Sequence, residues 1–93
     1  MLRIFTESEY NYAIKKLLPE QSFAGIWCAK ESVVKSFGQI KLIKIKNVEI
    51  ICEHNKSPVV KLRGIHFDFE YNISVSISHT DKIANAVSIL TIS

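Results

Sequence analysis

The sequence predicts an α+β domain, with helices packed on a small antiparallel sheet. Three observations carry this. Up to Gly38 the apolar residues recur at helical spacing, and from Ile40 onward they recur every second residue. The change happens once, so helices come first and antiparallel strands after. With 93 residues the chain makes a single domain, 1–93, whose core is modest in size. No internal repeat, linker or low-complexity stretch interrupts it.

Thr6-Glu7-Ser8-Glu9 has the pattern of a capping box, with Thr6 capping the first helical N–H groups and Glu9 reaching back. The helix behind it carries Tyr10, Ala13, Ile14, Leu17 and Leu18 on one apolar stripe and must stop before Pro19. Ser22 caps a second helix over Phe23–Phe37, and Gly38 stops it. On that helix Phe23, Ile26, Trp27, Ala29, Val33, Val34 and Phe37 fall on one broad arc that faces the core. Glu31 and Lys35 lie beside each other off the arc's edge, with the small residues Ala24 and Cys28 on the same side. Lys30 projects from the middle of the apolar arc. Either its stem packs while its ammonium reaches water, or it extends into a cleft.

Beyond Ile40, Ile43 and Ile45 alternate with lysines, and Val48, Ile50 and Cys52 alternate in the other phase. The slip at Asn47 predicts a bulge or bend. A turn is expected at His54-Asn55-Lys56-Ser57-Pro58, then a short strand over Val59–Leu62 ended by Gly64. Ile65, Phe67 and Phe69 alternate with polar residues, which suits either a strand or an irregular loop. Ile73, Val75 and Ile77 form one face of a strand whose other face is Ser74, Ser76 and Ser78. A turn over His79–Lys82 leads to a last strand over Ala84–Ile92.

Composition excludes several classes. A content of 47% hydrophobic against 23% charged residues is that of a globular fold, not a disordered one. No apolar run reaches membrane-spanning length, so no membrane partner is expected. The start, Met1 to Glu7, lacks the apolar core of a signal peptide. Cys28 and Cys52 are too few for a disulfide framework, so a cytoplasmic location with reduced thiols is expected. Twelve basic against nine acidic residues give +3, which permits an acidic partner without requiring one. The basic residues cluster as Lys41, Lys44 and Lys46 in one stretch and as Lys61 and Arg63 in another. Solvated strand faces and edge protection are the commoner reason for such clusters.

Two constellations have chemical potential. A carboxylate such as Glu31 ligates hard cations, and Lys35 one turn on holds phosphate or helps to move a proton. A plain surface ion pair uses the same spacing. Ser76-Ile77-Ser78-His79 closes a strand, where a histidine beside hydroxyls suits phosphate; an exposed polar face running into a turn has the same residues. His54, His66, His79, Cys28 and Cys52 lack zinc-site spacing. Trp27 and the phenylalanines sit at core spacing, so no nucleic-acid partner is expected.

Together these pieces resemble the holo-acyl-carrier-protein synthase family, the small type of 4′-phosphopantetheinyl transferase. The stretch from Phe23 to Gly38 (FAGIWCAKESVVKSFG) is similar to the family's F-A-G-R-[WF]-A-A-K-E-A-x-x-K-A-x-G helix. Val75-Ser76-Ile77-Ser78-His79-Thr80 is close to its V-S-I-[ST]-H-[TS]. Arg3 to Glu9 is like its R-I-[LF]-[TS]-x-x-E, and Lys56 to Val60 like its G-K-P-x-[VI] turn. The blocks occur in the family's order.

The resemblance implies transfer of 4′-phosphopantetheine from coenzyme A to a serine of an acyl carrier protein, in fatty acid biosynthesis. It implies Glu31 as a catalytic ligand of Mg2+ and Lys35 as a catalytic, phosphate-holding residue. It implies Lys30, Lys35, Ser76 and His79 as coenzyme-binding residues, and a homotrimer with the coenzyme between subunits. A non-catalytic relative, binding carrier protein or coenzyme A as an assembly subunit, is the alternative. The family opens with a strand bearing G-x-D, whose aspartate is a second metal ligand, and then a basic helix that grips the carrier. The matched blocks begin after both, so the chain is expected to correspond to the family without its first strand and helix. Asp68 and Asp81 are not at the matching position, Ile26 replaces an arginine, and Gln39-Ile40-Lys41-Leu42 replaces a glycine-rich loop.

Overall fold

A computed structural model describes residues 4–38, 40–53, 56–80 and 82–92. Arg3, Gln39, His54, Asn55 and Asp81 lie outside the described residues, as does the side chain of His79. The chain runs α1 (Glu7–Ile14), α2 (Pro19–Phe37), a 3₁₀ turn (Ile45–Asn47), β1 (Val48–Ile51), β2 (Val59–Leu62), β3 (Tyr71–His79) and β4 (Ala84–Ile92). β1 and β2 form one antiparallel pair, with Val48 opposite Leu62 and Ile51 opposite Val59. β3 and β4 form another, with Tyr71 opposite Ile92 and His79 opposite Ala84. Helices on small antiparallel sheets make this the α+β fold that the pattern predicts.

The capping box is present: the Glu9 N–H donates to Thr6 Oγ1 at 3.2 Å, and the Thr6 N–H donates to Glu9 Oε1 at 2.8 Å. The apolar stripe behind it is not the buried face. Of its members only Ala13 is buried, while Leu17 is 95% exposed and Tyr10, Ile14 and Leu18 are also exposed. α1 ends at Ile14, before the stripe can wind round to the core, and the chain turns through residues 15–18. α2 starts four residues ahead of the expected Phe23, at Pro19. A proline fits the first helical position because its missing N–H needs no partner there. Ser22 therefore lies inside the helix and caps nothing, and Leu18 takes the cap position without a side-chain bond. Gly38 ends α2 at φ +51, where a Cβ would be strained.

The core is Ile26, Ala29, Val33 and Phe37 of α2 together with Ala13, Ile43, Val48, Ile50 and Val75. Phe67 stacks on Phe37 with centroids 5.3 Å apart, and Tyr71 meets Phe67 at 4.7 Å, which closes the C-terminal end of α2. Ile65, Phe67 and Phe69 turn inward while His66, Asp68 and Glu70 stay out, although no strand forms there. The alternation around Ile40 to Ile45 does not make a strand either. The Ile40 N–H turns back to the Phe37 carbonyl at 2.9 Å, Ile43 alone is buried, and the 3₁₀ turn absorbs the change of phase at Asn47.

Glu49 breaks the alternation of β1. It is 3% exposed, between the buried Val48 and Ile50. Its Oε2 accepts from the Ser8 hydroxyl at 2.8 Å, and its Oε1 lies 2.8 Å from the Arg63 guanidinium. Burial pushes this carboxyl up, but Thr6 and Ser8 hydroxyls, with Arg63 and Lys61, outweigh it and hold it below the usual carboxylate value. A depressed carboxyl stabilises the fold above its unfolded value, ~4.3, and that contribution is lost as pH falls through the folded value. Glu49→Gln should therefore unfold more easily than wild type at pH 7. The gap should close in acid, as read by urea denaturation at several pH values.

Candidate functional site

α2 and β4 approach closely because both present small side chains. Cys28, Ala29 and Ser32 face Ala84, Ala86 and Ser88. The Cys28 thiol donates to the Ala84 carbonyl at 3.5 Å, and the Ser32 hydroxyl meets the Ser88 hydroxyl. The Ser32 hydroxyl also lies 2.8 Å from the Ala29 carbonyl. Beside this seam lies an open groove of about 240 Å3, lined by Cys28, Glu31, Ser32, Lys35, Asn85 and Ala86. It contains the two residues that the sequence singles out on α2. Cys28 lines it as the sequence suggests, Ala24 does not, and Ser32, Asn85 and Ala86 are lining that the sequence does not mark.

Glu31 and Lys35 are not an ordinary helix-surface ion pair. The ion pairs among the described residues are Lys30–Glu9, Lys56–Glu53 and Arg63–Glu49, and neither groove residue enters one. Glu31 is partly exposed and Lys35 exposed, so both heads are available to a ligand. Among the described residues no cluster of three or more His, Cys, Asp or Glu is placed to hold a metal. Among the described residues Glu31 is the one carboxylate lining the groove. One carboxylate supplemented by water and substrate phosphate is within the usual coordination of Mg2+, which keeps several waters. The groove therefore fits a metal shared with an anionic ligand.

Lys30 is placed differently from the expectation that it reaches water or a cleft. It is fully buried, and its Nζ donates to Glu9 Oε1 at 2.7 Å. The reason is electrostatic: a buried ammonium needs a buried partner, and α1 supplies one. Ser76 is not beside Glu31 within one chain. It is exposed on β3 opposite Val87, on the sheet face away from the buried Val75 and hence away from α2. The His79 backbone closes β3 opposite Ala84, whose carbonyl receives the Cys28 thiol of the groove seam.

A second cleft, of about 200 Å3, opens where Tyr12 and Gly25 face Cys52, Lys56, Pro58 and Ile77. Burial pushes the Cys52 thiol up, the Glu9 carboxylate adds to this, and Lys16 opposes it. Cys52 is thus a protonated thiol at neutral pH rather than a nucleophile.

The structure also joins the two basic clusters. The Arg63 N–H donates to the Asn47 carbonyl at 2.8 Å, and the Asn47 amide donates to the Arg63 carbonyl at 3.0 Å. Lys44, Lys46, Lys61 and Arg63, all exposed, consequently flank one edge of the β1–β2 hairpin.

Comparison with known proteins gives several matches over most of the chain. The family model described as the 4′-phosphopantetheinyl transferase superfamily matches residues 1–88. The chain is 36% identical to the holo-[acyl-carrier-protein] synthase of Clostridium tetani over 96 residues, 97% of this chain and 76% of that protein. It is 33% identical to the holo-[acyl-carrier-protein] synthase of Thermodesulfovibrio yellowstonii over 96% of this chain and 75% of that protein. It is also 40% identical to the fatty acid synthase subunit alpha of Lachancea kluyveri over 94% of this chain, which spans only 5% of that much longer protein.

Proposed function

The chain belongs to the 4′-phosphopantetheinyl transferase superfamily, and from that premise we propose that it moves the 4′-phosphopantetheine arm of coenzyme A onto a serine hydroxyl of an acyl carrier protein. The observation that carries this reading is the groove in which Glu31 and Lys35, neither in an ion pair among the described residues, lie together. No specific observation favours the alternative of a non-catalytic binding subunit.

In this reaction the serine oxygen bonds to the phosphorus that carries the pantetheine arm. The bond from that phosphorus to the bridging oxygen breaks, 3′,5′-ADP leaves, and the serine proton passes to water in the open groove. Such transfer asks for positioning and charge neutralisation more than for covalent help from the protein. Glu31 would hold Mg2+, which neutralises charge on the pyrophosphate when bound. Lys35 holds a phosphate oxygen of the coenzyme one helical turn away. Asn85 and the Ser32 hydroxyl give the same wall further polar groups.

Ser76 and His79 join the coenzyme site through assembly. Ser76 lies on the outer face of the β3–β4 pair, where Val87 and Ile89 are each 64% exposed. A second copy covering that face would bury apolar surface and bring its own groove towards Ser76, so a homotrimer with shared sites is the arrangement we favour. The basic edge at Lys44, Lys46, Lys61 and Arg63 suits an acidic carrier protein. A cytoplasmic role in fatty acid biosynthesis agrees with free Cys28 and Cys52 and with the names of the relatives. No helix among the described residues is long and apolar enough to cross a membrane.

The test is release of 3′,5′-ADP from coenzyme A, followed chromatographically with Mg2+ and apo-carrier protein. Release that requires the apo-carrier is expected. Release at the same rate without carrier, or none with it, contradicts the proposal.

A further inference from the structure

On the opposite side of α2 from the groove, one carboxylate ties three elements together. Glu9 is 1% exposed and Lys30 is 0% exposed. Glu9 Oε1 accepts from Lys30 Nζ at 2.7 Å and from the Thr6 N–H at 2.8 Å, and its Oε2 accepts from the Ile50 N–H at 2.7 Å. α1, α2 and β1 thus meet at a single buried carboxylate.

On the core face of α2 Ile26 and Phe37 are large, Ala29 and Val33 are small, and Ala13 is among the core neighbours. Small, smooth side chains such as Ala29 and Val33 resist a turn of the helix about its axis less than the seated Phe37 does, because few knobs seat in holes there. A buried ion pair tolerates no such slip, since losing its partner leaves a charge uncompensated. Buried ion pairs contribute little net stability compared with apolar packing, and setting register is their best-attested use. Lys30 immediately precedes Glu31, about 100° round the helix. Fixing the direction of Lys30 therefore fixes the direction of Glu31, and of Lys35 one turn later.

We infer that Glu9 and Lys30 are positioning residues: their buried pair sets the roll of α2 and so aims Glu31 and Lys35 into the groove against β4. The inference rests on the transfer reading for the role of Glu31, but its structural half stands apart from activity. The roll has two markers on the groove side, the approach of Ser32 to Ser88 and of Cys28 to Ala84.

The experiment compares wild type with Glu9→Gln/Lys30→Met, which removes both charges together, and with Glu9→Asp, which keeps the charge but draws it back by one methylene. Proton NMR reads the Ser32–Ser88 and Cys28–Ala84 contacts, and steady-state transfer is measured across Mg2+ and coenzyme A concentrations. Both variants are expected to fold, with those contacts weakened or re-paired. Their kcat should fall about tenfold or more, since small misplacements of catalytic groups are costly. Half-saturating Mg2+ should rise, while KM for coenzyme A changes less. Unchanged contacts in folded variants overturn the inference, whatever the activity. Failure of both variants to fold also overturns it, because the pair would then hold the fold rather than the aim of Glu31. Altered contacts with an unchanged rate and unchanged Mg2+ dependence overturn its functional half. A wild-type chain without transfer sinks the function reading alone, and the NMR comparison still decides the positioning claim.

Discussion

Lys30→Met, made alone, is expected to destabilise the folded chain by about 3–5 kcal/mol, the usual cost of stranding one member of a buried ion pair. Glu9 would keep its two backbone donors, Thr6 and Ile50, but lose the one cation among the described residues in hydrogen-bonding contact with it. Folding free energies of small domains are about 5–15 kcal/mol, so this single change removes a large share. Urea denaturation at neutral pH measures it. The double variant Glu9→Gln/Lys30→Met should recover most of the loss, because no buried charge is left unpaired. A single variant within ~1 kcal/mol of wild type would show that water or another group reaches the Glu9 carboxylate.

Glu31→Gln is expected to have the opposite signature, a fold left intact and transfer lost. Glu31 is partly exposed, enters no ion pair among the described residues, and is not part of the core. Its thermal midpoint should match wild type. A metal at a transferring phosphoryl group is worth several kcal/mol, and every 1.36 kcal/mol is a factor of ten, so the rate should drop by about a hundredfold or more. The amide keeps the shape but not the charge, and excess Mg2+ should recover part of the rate. A folded Glu31→Gln that transfers at the wild-type rate would remove Glu31 from the site.

The contrast between these neighbours shows what the sequence could and could not convey. The Glu31–Lys35 pair was legible because local helix geometry alone places both on one edge of α2, next to small residues. The strands β3 and β4 were legible too: serines alternating with Ile73, Val75 and Ile77 have one reading, and β4 spans Ala84–Ile92 as expected. The burial of Lys30 was not legible, since its partner is 21 positions away and is visible in the sequence only as a helix cap. Glu49 was hidden for the same reason, as Ser8 lies 41 positions from it. Pro19 was read as a stop for one helix, when it is also a good first residue for the next. The stripe of α1 misled because a helix of two turns cannot bring all of its apolar positions to the core. The separation of Ser76 from Glu31 depends on which face of the β3–β4 pair α2 covers, and alternation does not specify that.

The central claim is that this chain carries phosphopantetheine to a carrier protein through Glu31. The most direct test is the intact mass of an apo-acyl-carrier protein after incubation with coenzyme A, Mg2+ and either wild type or Glu31→Gln. The account predicts that the carrier gains the mass of one phosphopantetheine with wild type and stays unmodified over the same time with Glu31→Gln. A carrier that gains no mass with the folded wild-type chain, or gains it equally with both, contradicts the account.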